Sequence, residues 1–450
     1  MTKSKFALVF AAPFLALGAL TTMTGCSKKY DLVIYNWEDY IYEGTDDDGN
    51  RVDDSTVKAF EKYYQEKHGK AIKVGYECFS TNEEMYQQIS LGSISPDLIC
   101  PSDYMIQKMA NENMLEPFSY NAEANTYEES LSNWQTYGSP FIRNRFASQT
   151  LNDGSSFLQY AVPYFWGTMG FTYDPAFFSG DLADVINSWE CLWSTDPRLA
   201  SQFSLKDSMR DTYVAAIFHV YKDEIAALDE TAANYNAQLS AIFNRCDDAT
   251  IAKVEAALKA AKASTVYGFE VDEGKDDIVR GVYHANLAWS GDSVYSMDSA
   301  EESSAHKILN YALPQEGSNV WFDGWCMPKG ANKELAEEFV NFICDPENAA
   351  KCMEAVGYTS PIVGDAIWEY VNDTYAADEG ETDVYEADLS FYFGDSIEGD
   401  AKINILNSER GRQFDAQYPS EAMLNKCCLM KDFGDQTTKV EEMWIRVTTD

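Results

Sequence analysis

Hydrophobic and polar positions in the first quarter of the chain alternate between strand-like and helix-like patterns. An apolar run at 32–36 predicts a buried strand, and a helix with one apolar face begins near Ser55. The stretches 71–77 and 97–100 predict two further strands with a helix between them. Strands and helices that alternate at this spacing are typical of a parallel sheet covered by helices on both faces, so the predicted class is α/β.

The middle of the chain repeats this pattern with more helix. Residues 160–175 predict strands that are broken at Pro163 and Gly167, because proline lacks a strand's N–H donor and glycine weakens a strand. Residues 219–263 are helical by composition and spacing, and further strand regions follow between 281 and 328. A chain of 450 residues is too long for one simple core, which predicts two domains.

The N-terminus predicts export and a lipid anchor. Two lysines precede an apolar run at 6–20 that is too short to span a membrane comfortably. The following Thr24-Gly25-Cys26 resembles a bacterial lipobox, although Met23 stands where leucine is usual. We therefore expect residues 1–25 to be a lipoprotein signal peptide and Cys26 to carry lipid. The mature protein would be extracytoplasmic, in the periplasm or on the cell surface, and anchored to a membrane.

The composition is strongly acidic, with 73 acids against 34 bases and a formal net charge of −39. Such a field repels phosphates and attracts cations, so no binding to nucleic acid is expected. The cysteines other than Cys26 include no CxxC pair, and most are expected to be small buried residues. The acidic loop at 43–54 is an incomplete calcium loop, since Arg51 follows Asn50 where that motif needs glycine; no metal or cofactor is predicted.

Aromatic and acidic side chains recur together at the ends of predicted strands. Ligands of open α/β sheets bind beyond the carboxyl ends of the strands, where loops gather. The segments that combine the two kinds of side chain are Trp37-Glu38-Asp39-Tyr40, Ser102-Asp103-Tyr104, Trp289-Ser290-Gly291-Asp292 and Trp321-Phe322-Asp323. We expect these four segments to line one ligand site.

The chemistry of the four segments fits a flexible ligand with several ammonium groups. Carboxylates accept hydrogen bonds from ammonium groups, and aromatic faces attract such groups by about 0.5–2 kcal/mol each while covering methylene spacers. The segments contain no lysine or arginine, which argues against an anionic ligand. A polyamine therefore fits them best.

Several motifs resemble, in the same order, those of the spermidine/putrescine-binding components of bacterial polyamine ABC importers. They run from about residue 30 to 366 and include "YNWEDYI", "DLICPSDYMIQKM", "WSGDS", "VWFDGWCMPKGA" and "GYTSP". The resemblance implies a two-lobed periplasmic-binding-protein fold, with a ligand cleft between two α/β lobes that are joined by hinge crossings. By matching motifs, one lobe would comprise 30–166 and 322–366, and the other 167–321 and 367–450.

The resemblance also implies a set of ligand-binding residues. The set is Trp37, Glu38, Asp39, Tyr40, Ser102, Tyr104, Ser208, Asp211, Trp289, Asp292, Trp321, Asp323 and Tyr358. Its aspartates would hold the amines, and Trp289 and Trp321 would enclose the methylene chain. Spermidine-type members carry an acid where this chain has Ser208, whereas putrescine-type members carry one at the position of Asp292. The implied ligand is putrescine, spermidine or both, and Asp292 favours putrescine.

The implied function is that of a monomeric substrate-binding lipoprotein, which delivers its ligand to the permease and ATPase subunits of an ABC importer. Two alternatives remain: a binding protein for a sugar, thiamine or another organic cation, and a surface lipoprotein with no role in transport. Paired carboxylates near aromatic rings also occur in glycosidases. However, no G-x-S-x-G or HExxH motif is present and none of the four histidines lies in the four segments, so no enzymatic activity is expected.

Overall fold

The computed structural model describes residues 29–44, 52, 54–124, 126–147 and 149–449. The predicted signal peptide, Cys26 and most of the incomplete calcium loop lie outside these residues, so those interpretations stay predictions. Within the described ranges, no three histidine, cysteine or acidic side chains come together in an arrangement that could hold a metal ion. No helix of the described chain is long and apolar enough to cross a membrane.

The strands of the described chain are mostly short, and β7 and β12 are the long ones. In chain order they are β1 Leu32–Trp37, β2 Val74–Phe79, β3 Leu98–Ile99, β4 Leu115–Glu116, β5 Tyr120–Asn121, β6 Thr126–Tyr127, β7 Val162–Tyr173, β8 Phe203–Lys206, β9 Val266–Glu270, β10 Ala285–Trp289, β11 Asn310–Ala312, β12 Ser318–Trp325, β13 Met327–Pro328, β14 Val384–Asp388, β15 Lys402–Leu406 and β16 Cys427–Cys428.

The helices surround the sheets and fill the region predicted to be helical. In chain order they are α1 Thr56–His68, α2 Asn82–Ser90, α3 Asp103–Asn111, α4 Ser132–Tyr137, α5 Pro140–Ala147, α6 Asp211–Val220, α7 Lys222–Ala226, α8 Tyr235–Phe243, α9 Asp248–Lys262, α10 Glu273–Arg280, α11 Ser290–Glu302, α12 Lys333–Ile343, α13 Pro346–Val356, α14 Asp365–Tyr375, α15 Ser390–Phe393, α16 Gln413–Gln417, α17 Glu421–Leu424 and α18 Thr437–Thr449.

Local chemistry sets the bounds of α1. The hydroxyl of Ser55 accepts a hydrogen bond from the N–H of Lys58 at the start of α1, which agrees with the predicted helix start. Gly69 ends this helix in the left-handed conformation with a φ of 68°, which glycine adopts without strain. These local signals fix the helix bounds before any tertiary contact is considered.

The first sheet is parallel, as predicted, and has the strand order β2-β1-β3. β1 pairs with β2 along its whole length, from Leu32 opposite Val74 to Trp37 opposite Phe79. Strands of this kind are covered on both faces, which explains why β1 reads as a nearly continuous apolar run. The parallel order also brings the carboxyl ends of β1 and β3 to the same edge of the sheet, where Trp37 ends β1 and Ser102 follows β3.

The second sheet is mixed and has the order β16-β12-β7-β10-β8-β9, with β11 also paired to β7. β7 is one strand of 12 residues, so the predicted breaks at Pro163 and Gly167 are wrong. The pairing of β7 with β12 accommodates Pro163 because its register shifts at that point, between Asp323 and Gly324 of β12. Packing requires Gly167, since a Cβ atom at this position would lie 2.8 Å from the indole of Trp321.

β7 and β12 are the strands that cross between two hydrophobic cores. Phe165 and Trp166 in the first half of β7 belong to one core, whereas Met169 and Phe171 in its second half belong to another. Trp166 pairs with Phe322 of β12, which lies in the first core as well. The chain therefore forms two α/β lobes joined by crossing strands, which is the predicted two-lobed fold.

The C-terminal region is shared between the lobes. The prediction assigns all of 367–450 to the second lobe, but buried Ile367 of α14 and Ile403 of β15 lie in the first core. Val440 of α18, in contrast, packs against helices of the second lobe. A pattern of apolar residues shows that a segment is buried but not which core it joins. We therefore propose that 367–406 belong with the first lobe.

Candidate functional site

Most of the predicted acids and rings lie near the pairing of β7 with β12, beside the carboxyl ends of β1, β3 and β10. Asp323 of β12 is 6% exposed and lies in the middle of this region. The hydroxyl of Tyr40 donates a hydrogen bond to its Oδ2 atom over 2.7 Å. The backbone of Asp323 forms an antiparallel bridge with Ser102, which precedes α3. The Oδ1 atom of Asp323 has no hydrogen-bond partner among the described residues.

Burial has a clear electrostatic effect on Asp323. It raises the pKa of this carboxyl to about 6, although hydrogen bonds from Tyr40 and Ser102 oppose the rise. Burial also raises the pKa of the Tyr40 hydroxyl well above its ordinary value, so the phenol remains the donor in their hydrogen bond. Among the described residues no cation is paired with this carboxylate, and a cation that reached Oδ1 would stabilise its ionised form.

Tyr358 connects two of the predicted rings to Asp292. Its hydroxyl donates to Asp292 Oδ1 over 2.8 Å, and its ring meets the rings of Trp321 and Tyr40 at centre-to-centre distances of 5.3 Å and 5.7 Å. Gly291 permits this arrangement because a Cβ atom there would overlap the Tyr358 ring. Trp321 is 9% exposed, and its Nε1 donor has no acceptor within the described part of the chain.

Asp292 is paired with a lysine that the sequence pattern did not reveal. Lys206, the last residue of β8, is 2% exposed, and its Nζ atom donates to Asp292 Oδ2 and to the carbonyl oxygen of Val271, each over 3.0 Å. The same Nζ atom lies 3.8 Å from the centre of the Trp289 ring. Although burial acts in the opposite direction, Lys206 and Lys275 hold the pKa of Asp292 below its ordinary value. The predicted carboxylate is therefore present, but it is already neutralised.

Asp211 is the first residue of α6 and lies beside Trp289. It is 8% exposed, and the indole N–H of Trp289 donates to its Oδ1 atom over 3.3 Å. The backbone N–H of Asp211 donates to Ser208 Oγ over 3.3 Å. Burial raises the pKa of Asp211, while the Ser208 hydroxyl and the Trp289 indole oppose the rise. Like Asp323, this buried carboxyl is held by neutral donors.

Tyr104 lies at the contact between the two lobes and is half-buried. The guanidinium carbon of Arg210 lies 3.8 Å from the centre of its ring. Arg210 is itself held by the carbonyl oxygen of Lys431 over 2.9 Å and by the carboxylate of Asp432 over 3.2 Å. One face of Tyr104 is therefore covered by the chain's own cation, and its hydroxyl donates to the carboxylate of Glu83 over 3.1 Å.

Asn82 and Asp103 lie beside the candidate site, although the set of ligand-binding residues implied by the resemblance did not include them. The Asn82 side-chain amide donates to Ser102 Oγ over 3.1 Å and to the Tyr104 hydroxyl over 3.0 Å. Asp103 is 6% exposed, its Oδ2 atom has no partner among the described residues, and burial raises its pKa well above the ordinary value. Asp103 stands inside one of the four segments and was detectable there, whereas no local pattern marks Asn82.

The first predicted segment contributes less than expected. Trp37 is half-buried; its indole N–H donates to the carbonyl oxygen of Cys100 over 2.8 Å, and its ring centre lies 4.5 Å from that of Phe79. Glu38 and Asp39 are exposed, and the chain turns at Asp39 with a φ of 50°. The structure thus brings Tyr40 into the buried cluster but leaves Glu38 and Asp39 at the surface.

The site and the crossing strands define a two-lobed α/β binding protein, with buried carboxyl groups and aromatic rings at the junction of its lobes. The chain belongs to the bacterial extracellular solute-binding protein family, which matches residues 56–379. The expectation of an extracytoplasmic solute-binding protein rather than an enzyme is confirmed by this membership.

Relatives of known role support the motif resemblance. The chain is 24% identical over 374 residues to the putrescine-binding periplasmic protein SpuD of Pseudomonas aeruginosa, covering 80% of this chain and 88% of the relative. It is 24% identical over 355 residues to the spermidine/putrescine-binding periplasmic protein of Escherichia coli, covering 77% of this chain and 83% of the relative. The resemblance to the polyamine-binding components is thereby confirmed.

Solved structures support the fold. A protein of Listeria monocytogenes has a TM-score of 0.60 at 25% identity, covering 92% of this chain and 98% of its own. The spermidine/putrescine ABC transporter substrate-binding protein PotD of Streptococcus pneumoniae has a TM-score of 0.59 at 23% identity. The match covers 93% of this chain and 98% of the PotD chain. These similarities agree with the two-lobed architecture.

Proposed function

We propose that this chain is the substrate-binding lipoprotein of an ABC importer and captures a polyamine, putrescine or spermidine or both, between its lobes. The observation that carries the proposal is the buried carboxylate of Asp323, whose Oδ1 atom has no partner among the described residues. An ammonium group would supply the missing donors, and the nearby rings of Tyr40 and Tyr358 would cover the adjoining methylenes. Two relatives are named as binding putrescine or spermidine, which supports the same ligand class.

In the proposed complex, two carboxylates would hold the two ends of such a ligand. Asp323 lies in a strand that borders the first core, and Asp211 begins a helix of the second lobe. Both are buried, and neutral groups are their hydrogen-bond donors. Two ammonium groups of one ligand would therefore bridge the lobes, with Trp289 and Trp321 beside its methylene chain.

Capture and delivery follow from this bridging. Each carboxylate leaves water at a cost that an arriving ammonium group offsets, so the ligand favours the state in which the lobes are closed on it. The closed protein then docks on a membrane permease that an ATPase drives. The lipid on Cys26 keeps the protein, as a monomer, near that membrane. Glu38 and Asp39, which are exposed, are proposed as secondary contacts.

One observation favours a second candidate, a ligand that carries hydroxyl groups. The indole N–H of Trp321 is buried and has no acceptor among the described residues, and an ammonium group cannot accept a hydrogen bond from it. A sugar hydroxyl could accept it. A bridging water between the indole and a bound amine could do so as well.

A ligand panel in a thermal-shift assay decides between these candidates. Putrescine, cadaverine, spermidine and spermine are compared with glucose, galactose and thiamine, followed by isothermal titration of those that act. Binding stabilises the folded state by RT ln(1 + [L]/Kd), which is about 2.7 kcal/mol at a ligand concentration of about 100 Kd. We expect the polyamines to raise the melting temperature and the sugars to leave it unchanged. A rise with sugar alone at millimolar concentration would show the polyamine proposal to be wrong.

A further inference from the structure

Lys206 occupies the part of the site where a ligand amine would be expected. Its ammonium group donates to the Asp292 carboxylate over 3.0 Å and lies 3.8 Å from the centre of the Trp289 ring. A carboxylate and an indole face are the two groups with which proteins bind organic ammonium ions. Burial of a lysine is rare unless its charge is paired, and here the side chain is 2% exposed.

We propose that Lys206 is a tethered ammonium group, which fills the amine subsite formed by Trp289 and Asp292 and so restricts the ligand to a diamine. The proposal rests on the proposed function, because it concerns which polyamine the same site accepts. A triamine needs three anionic or aromatic subsites for its three ammonium groups. The chain's own side chain occupies one of them.

The charges of the site agree with this assignment. Asp292 faces two lysines, Lys206 and Lys275, which together hold its pKa low against the effect of burial. Asp211 and Asp323 accept hydrogen bonds from neutral groups instead, and burial raises the pKa of each, although the charges of Lys206 and Arg210 oppose the rise at Asp211. The chain's own lysines thus already balance the charge of Asp292, which leaves this carboxylate unavailable to a third ammonium group of a ligand.

The ammonium group of Lys206 is not available to bind an anionic ligand. Of its three N–H donors, one bonds the Asp292 carboxylate and one bonds the carbonyl oxygen of Val271. The ammonium group also contacts the ring of Trp289. A ligand carboxylate would have to displace one of these partners. The lysine therefore acts on specificity by occupying the subsite and not by attracting the opposite charge.

The direct test compares putrescine with spermidine in variants of Lys206. Lys206→Ala removes the ammonium group and opens the space of its side chain, so Trp289 and Asp292 become available to the third amine of spermidine. We expect the ratio of spermidine to putrescine affinity, measured by isothermal titration, to rise at least about tenfold. Lys206→Met, which keeps most of the volume, should change the ratio in the same direction but less. Lys58→Ala, an exposed lysine of α1, is the control and should leave the ratio unchanged.

A double variant separates occupation of the subsite from a merely structural role. Lys206→Ala combined with Asp292→Asn opens the same space without a free carboxylate, so the gain in the spermidine ratio should disappear. A ratio that changes less than about threefold in Lys206→Ala, or that changes equally in the single and double variants, overturns the proposal. A wild-type protein that binds no amine at all would instead refute the proposed function.

The wild-type protein provides a test that needs no variant. Spermidine and N-propylputrescine have similar lengths, but only spermidine carries the third amine. We expect the two to bind the wild-type protein within about threefold of each other, because the third amine finds no free subsite. Spermidine binding more than about tenfold tighter than N-propylputrescine would overturn the proposal even if every Lys206 variant failed to fold.

Discussion

Replacing Asp323 with asparagine tests whether this carboxylate binds an ammonium group. Burial raises the pKa of Asp323 from an ordinary value of 3.8 to about 6. At about 1.4 kcal/mol per pKa unit, this difference amounts to about 3 kcal/mol of folding stability. Because the folded-state pKa of an acid is raised, that stability is present at low pH and is lost as the pH rises through about 6. A bound ammonium group restores part of this lost stability, so binding should be strongest at pH values at which Asp323 is ionised.

The expected result has a magnitude and a pH dependence. The ionised fraction of a group with a pKa of about 6 falls about tenfold from about pH 7.5 to about pH 5, so putrescine affinity should fall by about the same factor in the wild type. At neutral pH, Asp323→Asn should weaken binding by about 1–3 kcal/mol, because a charge-assisted hydrogen bond is lost. Isothermal titration at both pH values measures both effects.

The controls separate Asp323 from the other acids. Asp395→Asn removes the same charge from an exposed position and should leave the affinity unchanged. Some pH dependence should remain in Asp323→Asn, because burial also raises the pKa of Asp211. In the absence of ligand, the wild type should lose about 1.4 kcal/mol of unfolding free energy relative to this variant between about pH 5 and pH 7.5. Wild-type affinity together with wild-type pH dependence in Asp323→Asn would refute the reasoning.

Three further substitutions test other contacts of the site. Asp211→Asn should weaken putrescine binding by about 1–3 kcal/mol in isothermal titration, and an unchanged affinity would show that the second ammonium binds elsewhere. Tyr358→Phe removes the hydroxyl that donates to Asp292 and should lower the unfolding free energy in urea by about 1 kcal/mol; equal stability would contradict this. Gly291→Ala should lower the unfolding free energy by about 1–3 kcal/mol because the added Cβ overlaps the Tyr358 ring. An unchanged stability would show that the ring can move.

Local sequence signals correctly predicted the strands and helices whose bounds depend on neighbouring residues. The apolar run at 32–36 became β1, and the helix expected near Ser55 begins there because its hydroxyl caps the first turn. β7 was predicted wrongly, since the rules for Pro163 and Gly167 describe average strands. A register shift in the partner strand accommodates the proline, and the neighbouring indole of Trp321 requires the glycine. Both causes lie about 160 residues away along the chain.

The sequence by itself determined the α/β class, because strands and helices that alternate along the chain form such a sheet, and it indicated the chemistry of the candidate site. Its motifs also proposed Tyr40, Asp211 and Asp323 for the candidate site through their family resemblance, and the structure buries all three side chains. Only the tertiary structure decided how the charges are matched. Pairing Asp292 with Lys206 depends on β8 lying beside β10, and no pattern of neighbouring residues encodes a distance between strands.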